Sequence, residues 1–464
     1  MPAVQTITEQ RAPRVSTNSS APALARRLRA ARERTLLHAS ALAGAQLLGT
    51  RLATVNPPLW EIAHVAWFQE YWCLRHGGGQ PLGVSLVANA DPMYNSALAA
   101  HDTRWDLPLL PFDAALGYLS GVLARVLERL NREPQNMMLR YCAELSVAHE
   151  EMHCEAFTYT RQTLGYASLH LERMAAPEGG PCAGDVAVTG GEFVLGAPHG
   201  DGFVFDNEKW AHRLQLQPFN IARAAVTNGE FCEFVDADGY SRRDLWSAEG
   251  WQWRASAGAA APVYWLKEDG QWAQRVYADV EPLPPHAAVM HVNWYEADAW
   301  CRWAGRRLPT EAEWEQAAAT SPDDARGASG KRAYPWGDQF PDVARANLYG
   351  ICNAVAPVSA FAAGDSAWGC RQLMGNVWEW TADWFRPYPG FERDPYQEYS
   401  EPWFGNHKVL RGGCFATSAI LLRNTWRNFY MPDRRDVFAG FRTCAVAPAD
   451  CADATGFGPA DSKS

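Results

Sequence analysis

The residues best equipped for chemistry are His149-Glu150-Glu151-Met152-His153, inside the run AELSVAHEEMHCEAFTYTRQTLG. Two histidines four positions apart on a helix project from one face, a turn apart, which suits two ligands of one metal ion. Neither Pro nor Gly interrupts Ala143 to Gln162, so a helix is expected there. HEEMH also fits the HExxH of zinc proteases, in which Glu150 would be the general base. The spacing alone leaves open which metal and which chemistry, and equally an ordinary hydrogen-bonded pair.

The elements that must position this pair are helical. ALARRLRAARERTLLHASAL opens the helical part from about Ala23 with apolar and basic positions at helical spacing. PPLWEIAHVAWFQEYWCLRHGGG follows, where Pro57-Pro58 can start a helix and Gly77-Gly79 end it. A loop is expected from Gln80 to Pro111, then FDAALGYLSGVLARVLERLNRE, then the helix around His149. Four helices with one long connection describe a bundle over 23–175, whose core is a usual place for metal ligands. His64 lies amid Leu59, Ile62, Ala63, Val65, Trp67 and Phe68. A histidine on so apolar a helix is ordinarily a satisfied core residue, but the pair on the other helix makes it the third ligand of choice. His101 in AAHDTRW is a weaker candidate.

Size and composition set the outer bounds. The chain of 464 residues is long enough for two or three domains, with 47% hydrophobic and 20% charged residues as in globular proteins. A net charge of -10 argues against nucleic acid as a partner. No apolar run approaches the roughly 20 residues of a membrane span, so no membrane partner is expected. The 11 cysteines are scattered, with no CxxC pair, which fits a reduced cytoplasm. The stretches 1–22 and 449–464 read as tails. The 21 Trp suggest buried aromatic platforms or ligand cages.

A Gly- and Pro-rich linker from Ala176 to Gly184 ends the bundle, and from there to about 448 short apolar runs alternate with turns. Helices are expected in NGEFCEFVDADG and WYEADAWCRWAG, with Asn228 and Asn293 as caps. The ordered motifs VTNGEF, RLPTEAEWE, YPWG, GNVWEW, VLRGG and AGFR resemble the formylglycine-generating-enzyme-type (sulfatase-modifying-factor) domain. That resemblance implies an α+β chain: a DinB-like four-helix bundle followed, over 184–448, by an irregular C-type-lectin-like domain. Joined to a bundle carrying His64 and HEEMH, the chain resembles the ergothioneine sulfoxide synthases, whose architecture is shared by ovothiol and selenoneine synthases.

The resemblance implies an oxidoreductase in which His64, His149 and His153 hold Fe(II), with dioxygen as co-substrate and the active site between bundle and second domain. Imidazole suits iron, and three protein ligands leave positions open. It implies that Tyr396, in PYQEYS, is the proton donor or redox partner and that Tyr399 lies near hercynine (trimethylhistidine). Asn428 and Phe429, in RNFYMPDRR, match the segment that contacts hercynine, where an aromatic face can hold a quaternary ammonium. It also allows calcium in the second domain, though no Asp-rich loop demonstrates it.

The departures from the pattern bear on the chalcogen donor. Met152 stands where ergothioneine synthases usually carry a hercynine-binding Gln. Synthases using cysteine or γ-glutamylcysteine have paired arginines after an FNS motif, whereas YNSALAAHDTRWDLPLL keeps only Arg104. An Asp that would meet the donor's amine is replaced by Tyr430, while Arg434 remains. Loss of carboxylate and amine partners favours a donor with neither, such as a selenosugar, and hence the selenoneine synthases. Ergothioneine synthesis from a thiol amino acid is the alternative. Arg104, Tyr430 and Arg434 are the donor-side candidates. A zinc protease would not carry the second-half motifs, and a formylglycine-generating enzyme would need a cysteine pair that Cys414 and Cys444 do not supply at the right spacing.

Overall fold

The computed structural model describes residues 19–76, 82–169, 174, 177–200, 202–323 and 331–446. Gly77–Gly79, Ala176 at the head of the linker, residues 1–18 of the first tail and all of the second lie outside these. Helix α1 (Ala21–Ser40) begins inside the stretch expected as tail, because the Ser20 hydroxyl accepts the Ala23 N–H and Pro22 occupies the first turn. Next come α2 (Pro58–Glu70), a short α3 (Ala90–Tyr94) within the expected loop, α4 (Phe112–Arg132) and α5 (Met137–Leu164). Asn136 caps the start of α5, and Gly165, with φ 66°, ends it in the left-handed conformation that a Cβ would penalise.

Helix α1 packs on α5 and α4, and α2 on α4 and α5, which closes a four-helix bundle. Almost every residue of α2 is buried, which explains why its sequence is apolar all round rather than striped. Among the described residues no helix is long and apolar enough to cross a membrane.

The second half contains β1 (Asp185–Val188), β2 (Gly191–Leu195), β3 (His212–Leu216), β4 (Phe219–Ala222), α6 (Asn228–Asp236) and α7 (Ala248–Ala257). Strands β5 (Trp265–Glu268), β6 (Gln271–Val276) and β7 (Asp279–Pro282) precede α8 (Trp294–Trp303), β8 (Arg306–Arg307) and α9 (Glu311–Ala319). The chain ends through β9 (Trp378–Trp384), β10 (Lys408–Arg411), β11 (Asn428–Tyr430), β12 (Ala439–Gly440) and β13 (Cys444–Ala445). The sheets run β1-β4-β13-β8, β11-β10-β9-β12, β5-β6-β7 and β2-β3. Helices and short sheets together make the chain α+β. Asn293 caps α8 as expected, but Asn228 does not cap α6. Thr227 does so, exchanging hydrogen bonds with Glu230 in a capping box, and Asn228 instead donates to the Pro284 carbonyl.

The second-half motifs turn out to be a buried ionic frame. Arg411 of VLRGG donates to Glu311 and Glu315 of RLPTEAEWE, and Arg442 of AGFR forks onto Glu379 of GNVWEW at 2.6 and 2.7 Å. Arg427 reaches Glu311 at 2.7 Å and so anchors the strand that begins at Asn428. All three guanidinium side chains are essentially inaccessible. Each carboxylate paired with Arg in this interior leaves no charge uncompensated, and loss of one partner from such a pair typically costs about 3–5 kcal/mol.

One apolar core runs through both halves, from Trp60, Phe68 and Phe157 to Trp378, Phe415 and Phe438. Polar contacts stitch the seam. Glu155 of α5 accepts from Trp378 Nε1 at 2.7 Å and Thr417 Oγ1 at 2.6 Å, and Gln162 bonds to the backbone of Arg275 and Tyr277.

Candidate metal centre

Helices α2 and α5 cross with His64 facing His149 and His153. The Nε2 atom of His149 lies 3.2 Å from Nε2 of His64 and 3.2 Å from Nε2 of His153. The orientations are imposed from behind. His64 Nδ1–H donates to the Tyr94 carbonyl at 2.6 Å, and His153 Nδ1–H to Glu61 Oε1 at 2.5 Å. With those protons committed, the Nε2 atoms of His64 and His153 present lone pairs to a common point. His149 Nδ1 is buried without a partner, so no bond from behind commits a proton there, and three imidazole nitrogens within ligand reach of one another fit a bound metal ion. Burial, reinforced by the neighbouring His153, holds His64 and His149 well below the ordinary histidine pKa, in the neutral form that metals bind. Among the described residues, this is the group of three such side chains whose ligand atoms lie within 4.8 Å of one another.

Stacked rings fix the imidazole planes. Phe68 lies 3.6 Å from His149, nearly parallel, and Trp60 stacks on His64 at 4.7 Å. Arg104 lies over the same indole, 4.0 Å from its centre. Its guanidinium donates to Asn56 Oδ1, the Ser96 carbonyl and the Ala99 carbonyl, so it braces the loop behind the site. His101 Nε2–H donates to the Val55 carbonyl at 2.9 Å and takes no part in the histidine group.

Glu150 faces the opposite way. Its carboxylate accepts from Arg32 at 2.7 Å and Thr35 at 2.8 Å, both on α1, and is 1% exposed. The protease reading therefore has no general base beside the metal. Cys414 and Cys444 belong to separate core clusters, so they form no pair.

The second domain closes over the histidines through its tyrosine segment. Tyr396 meets Phe68 edge-on at 4.9 Å and His149 at 6.4 Å, and burial raises its phenol far above the ordinary pKa. Tyr399 donates to Met152 Sδ at 3.6 Å and stacks on Phe205 at 4.1 Å. Phe429 stands edge-on to Tyr399 at 5.6 Å, backed by Phe385 at 4.0 Å, and Asn428 accepts the Phe429 N–H. Tyr430 lies under Arg434, 5.1 Å away, and Arg434 forks onto Asp436 at 2.7 and 2.9 Å. Met152, Tyr396, Tyr399, Asn428, Phe429 and Tyr430 are each half-buried and form a rim where the two halves meet.

Several positioning groups escaped the sequence reading. Glu61 had a signal, a carboxylate three residues before His64 on an otherwise apolar helix. The Tyr94 carbonyl had none, because a backbone acceptor is silent in sequence.

A bundle that gathers three histidines, joined to an irregular, Trp-rich domain, is a recognisable class. Residues 27–157 match the DinB superfamily and residues 172–447 the sulfatase-modifying factor enzyme 1-like domain. The hercynine oxygenase of Mycolicibacterium thermoresistibile is 40% identical over 428 residues, 90% of this chain and 94% of that protein. That of Mycolicibacterium smegmatis is 38% identical over 432 residues, 90% and 97% of the two chains. The formylglycine-generating enzyme of Streptomyces coelicolor is 34% identical over 307 residues, 58% of this chain and 93% of that protein. The chain belongs to the hercynine oxygenase family, and it is an oxidative enzyme.

Proposed function

We propose that this chain is a non-haem Fe(II)- and dioxygen-dependent enzyme that oxidatively joins selenium of a selenosugar, such as selenoglucose, to the imidazole carbon of hercynine. The observation that carries the reading is the convergence of three imidazole Nε2 atoms beneath a rim built from Tyr396, Tyr399 and Phe429. Fe(II) bound there supplies redox chemistry and open positions at which reactants are oriented. Tyr396 keeps its proton at neutral pH, so its hydroxyl can deliver one as oxygen is reduced. The Phe429 face can hold the trimethylammonium group by cation–π attraction, at roughly 1–2 kcal/mol when desolvated. Asn428 offers an amide beside it, and Met152, whose Sδ accepts the Tyr399 hydroxyl, stands with Tyr399 on the imidazole side.

The donor assignment rests on charge. Arg104 is committed to loop acceptors and Arg434 to Asp436, which supports a donor without a carboxylate. An exposed indole, Trp403, stands beside His407 at 5.2 Å, and His407 beside Phe429 at 5.8 Å, which gives sugar-ring faces an aromatic surface near the rim. The second reading, ergothioneine sulfoxide synthesis from cysteine or γ-glutamylcysteine, is favoured by the identity to hercynine oxygenases. Calcium has no comparable ligand cluster among the described residues of the second domain. Anaerobic reconstitution with Fe(II), hercynine and each donor in turn, followed by air and mass spectrometry, tests both. A selenium product from selenoglucose is expected, and reaction with the thiol amino acids alone would replace the selenosugar by the sulfur donor.

A further inference from the structure

Tyr396 and Tyr399 sit on a segment without regular strand or long helix, yet both ends of that segment are held by one carboxylate. Asp206 Oδ2 accepts the Asp394 backbone N–H at 3.3 Å, and Asp206 Oδ1 accepts the Ser400 hydroxyl. Asn207 donates to Ser400 Oγ at 2.9 Å. The Asp394 side chain is itself fixed by Lys209 Nζ at 2.8 and 2.7 Å and by the Tyr141 hydroxyl at 2.9 Å. Asp206, Asn207, Lys209, Tyr141 and Ser400 are all buried. Tyr141 lies on α5, the helix that carries His149 and His153, so the chain of bonds runs from the metal helix to the tyrosine segment.

We propose that Asp206 is a positioning residue for Tyr396, closing the 394–400 segment while Asp394 and Tyr141 tie it to α5 at a fixed offset from the histidines. The inference rests on the reading of Tyr396 as the proton or electron donor. The Tyr396 ring packs edge-on against Phe68 and Trp72, but the segment that carries it lacks its own ladder of backbone bonds, so the clamp fixes the backbone from which the phenol projects. Catalysis demands such placement, since a misplacement of about 1 Å can cost on the order of 10²-fold. Buried charged groups this well satisfied also rigidify their surroundings.

Ser400→Ala and Tyr141→Phe each delete one hydroxyl and are the mildest tests. Both are expected to lower kcat by about 10-fold or more while the KM for hercynine and the iron content stay near wild type, the pattern of a group that acts on the transition state alone. Ser400→Thr, which restores the hydroxyl, is expected to recover most of the loss. A readout free of turnover comes from 3-fluorotyrosine placed at 396 in the metal-free chain. Its ¹⁹F resonance is expected to be single in the parent and shifted or broadened in both variants. Unchanged resonances together with kcat within twofold of wild type would overturn the clamp. If the parent fails to turn over hercynine, the functional reading falls and the fluorine signal still decides the positioning role.

Discussion

Glu61 holds His153. The carboxylate accepts the Nδ1–H at 2.5 Å from a position that is 0% exposed, one helical turn before His64 on the same helix. One turn of α2 therefore delivers both His64, a candidate ligand, and the carboxylate that orients His153 on another helix. A carboxylate behind a ligating imidazole fixes its tautomer and raises its basicity.

Replacing Glu61 by Gln keeps the volume and removes the charge. Metal affinity is expected to fall about 10- to 100-fold, the usual loss on removing such a partner. Competition with a chelator of known affinity measures it. Unchanged affinity would show that His153 needs no orienting group.

Adding Fe(II) anaerobically is expected to raise the melting temperature of the parent chain and leave that of His149→Ala unmoved. A ligand that binds only the native state stabilises by about 2.7 kcal/mol at 100 times its dissociation constant. The metal-induced shift is the quantity to compare, because loss of the ring stacked on Phe68 lowers the stability of the variant regardless of metal.

The histidine pair was legible because helical periodicity is geometric, and His64 only through that pair, since a lone histidine on an apolar helix is ordinarily a satisfied core residue. The motifs were legible as a pattern but not as physics. Glu311, Glu315 and Glu379 stand in those motifs with no partner in sequence reach, and they neutralise Arg411, Arg427 and Arg442 inside the core. Pairing across more than 60 positions in sequence leaves no local trace. The same holds for the clamp, where Asp206 and Ser400 meet only once the fold has formed. Arg104 is a donor-side candidate as the arginine kept in YNSALAAHDTRWDLPLL, and the structure adds what the sequence could not carry, its bonds to Asn56 and Ala99.

Arg104→Lys is therefore expected to act on stability. A lysine cannot keep both the stack on Trp60 and the fork to Asn56, Ser96 and Ala99. Loss of a hydrogen bond to a charged group costs about 1.5–3 kcal/mol, so denaturant midpoints should fall while the donor KM stays constant. A KM for the donor that rises without loss of stability would restore Arg104 as a substrate contact.

Acid should destabilise the fold partly through His38. Burial, helped by Arg161 and Arg34, lowers its pKa from 6.5 to about 3. The unfolded state then binds more protons between these values, so stability is fully present above about 6.5 and lost as pH falls toward 3. Going from pH 7 to 5 should cost about 2 kcal/mol from this residue alone. Asp206 and Glu296, raised by burial to about 6 and about 7, act with the opposite sign. The difference between wild type and His38→Phe cancels them, and the variant, which keeps the ring stacked on Phe157, should show the shallower acid limb.

Tyr396→Phe separates chemistry from binding. The ring edge against Phe68 and Trp72 survives, so the segment keeps its packing and the rim keeps its shape. Only the hydroxyl goes, and burial has kept that hydroxyl protonated at any working pH. A general acid contributes typically 10²–10⁴-fold, so kcat should fall by about that much with hercynine KM nearly constant. Single-turnover mixing of the anaerobic, substrate-loaded enzyme with oxygenated buffer reads the chemical step directly. A variant that turns over at the parent rate would assign the proton to another donor and leave Tyr396 as packing.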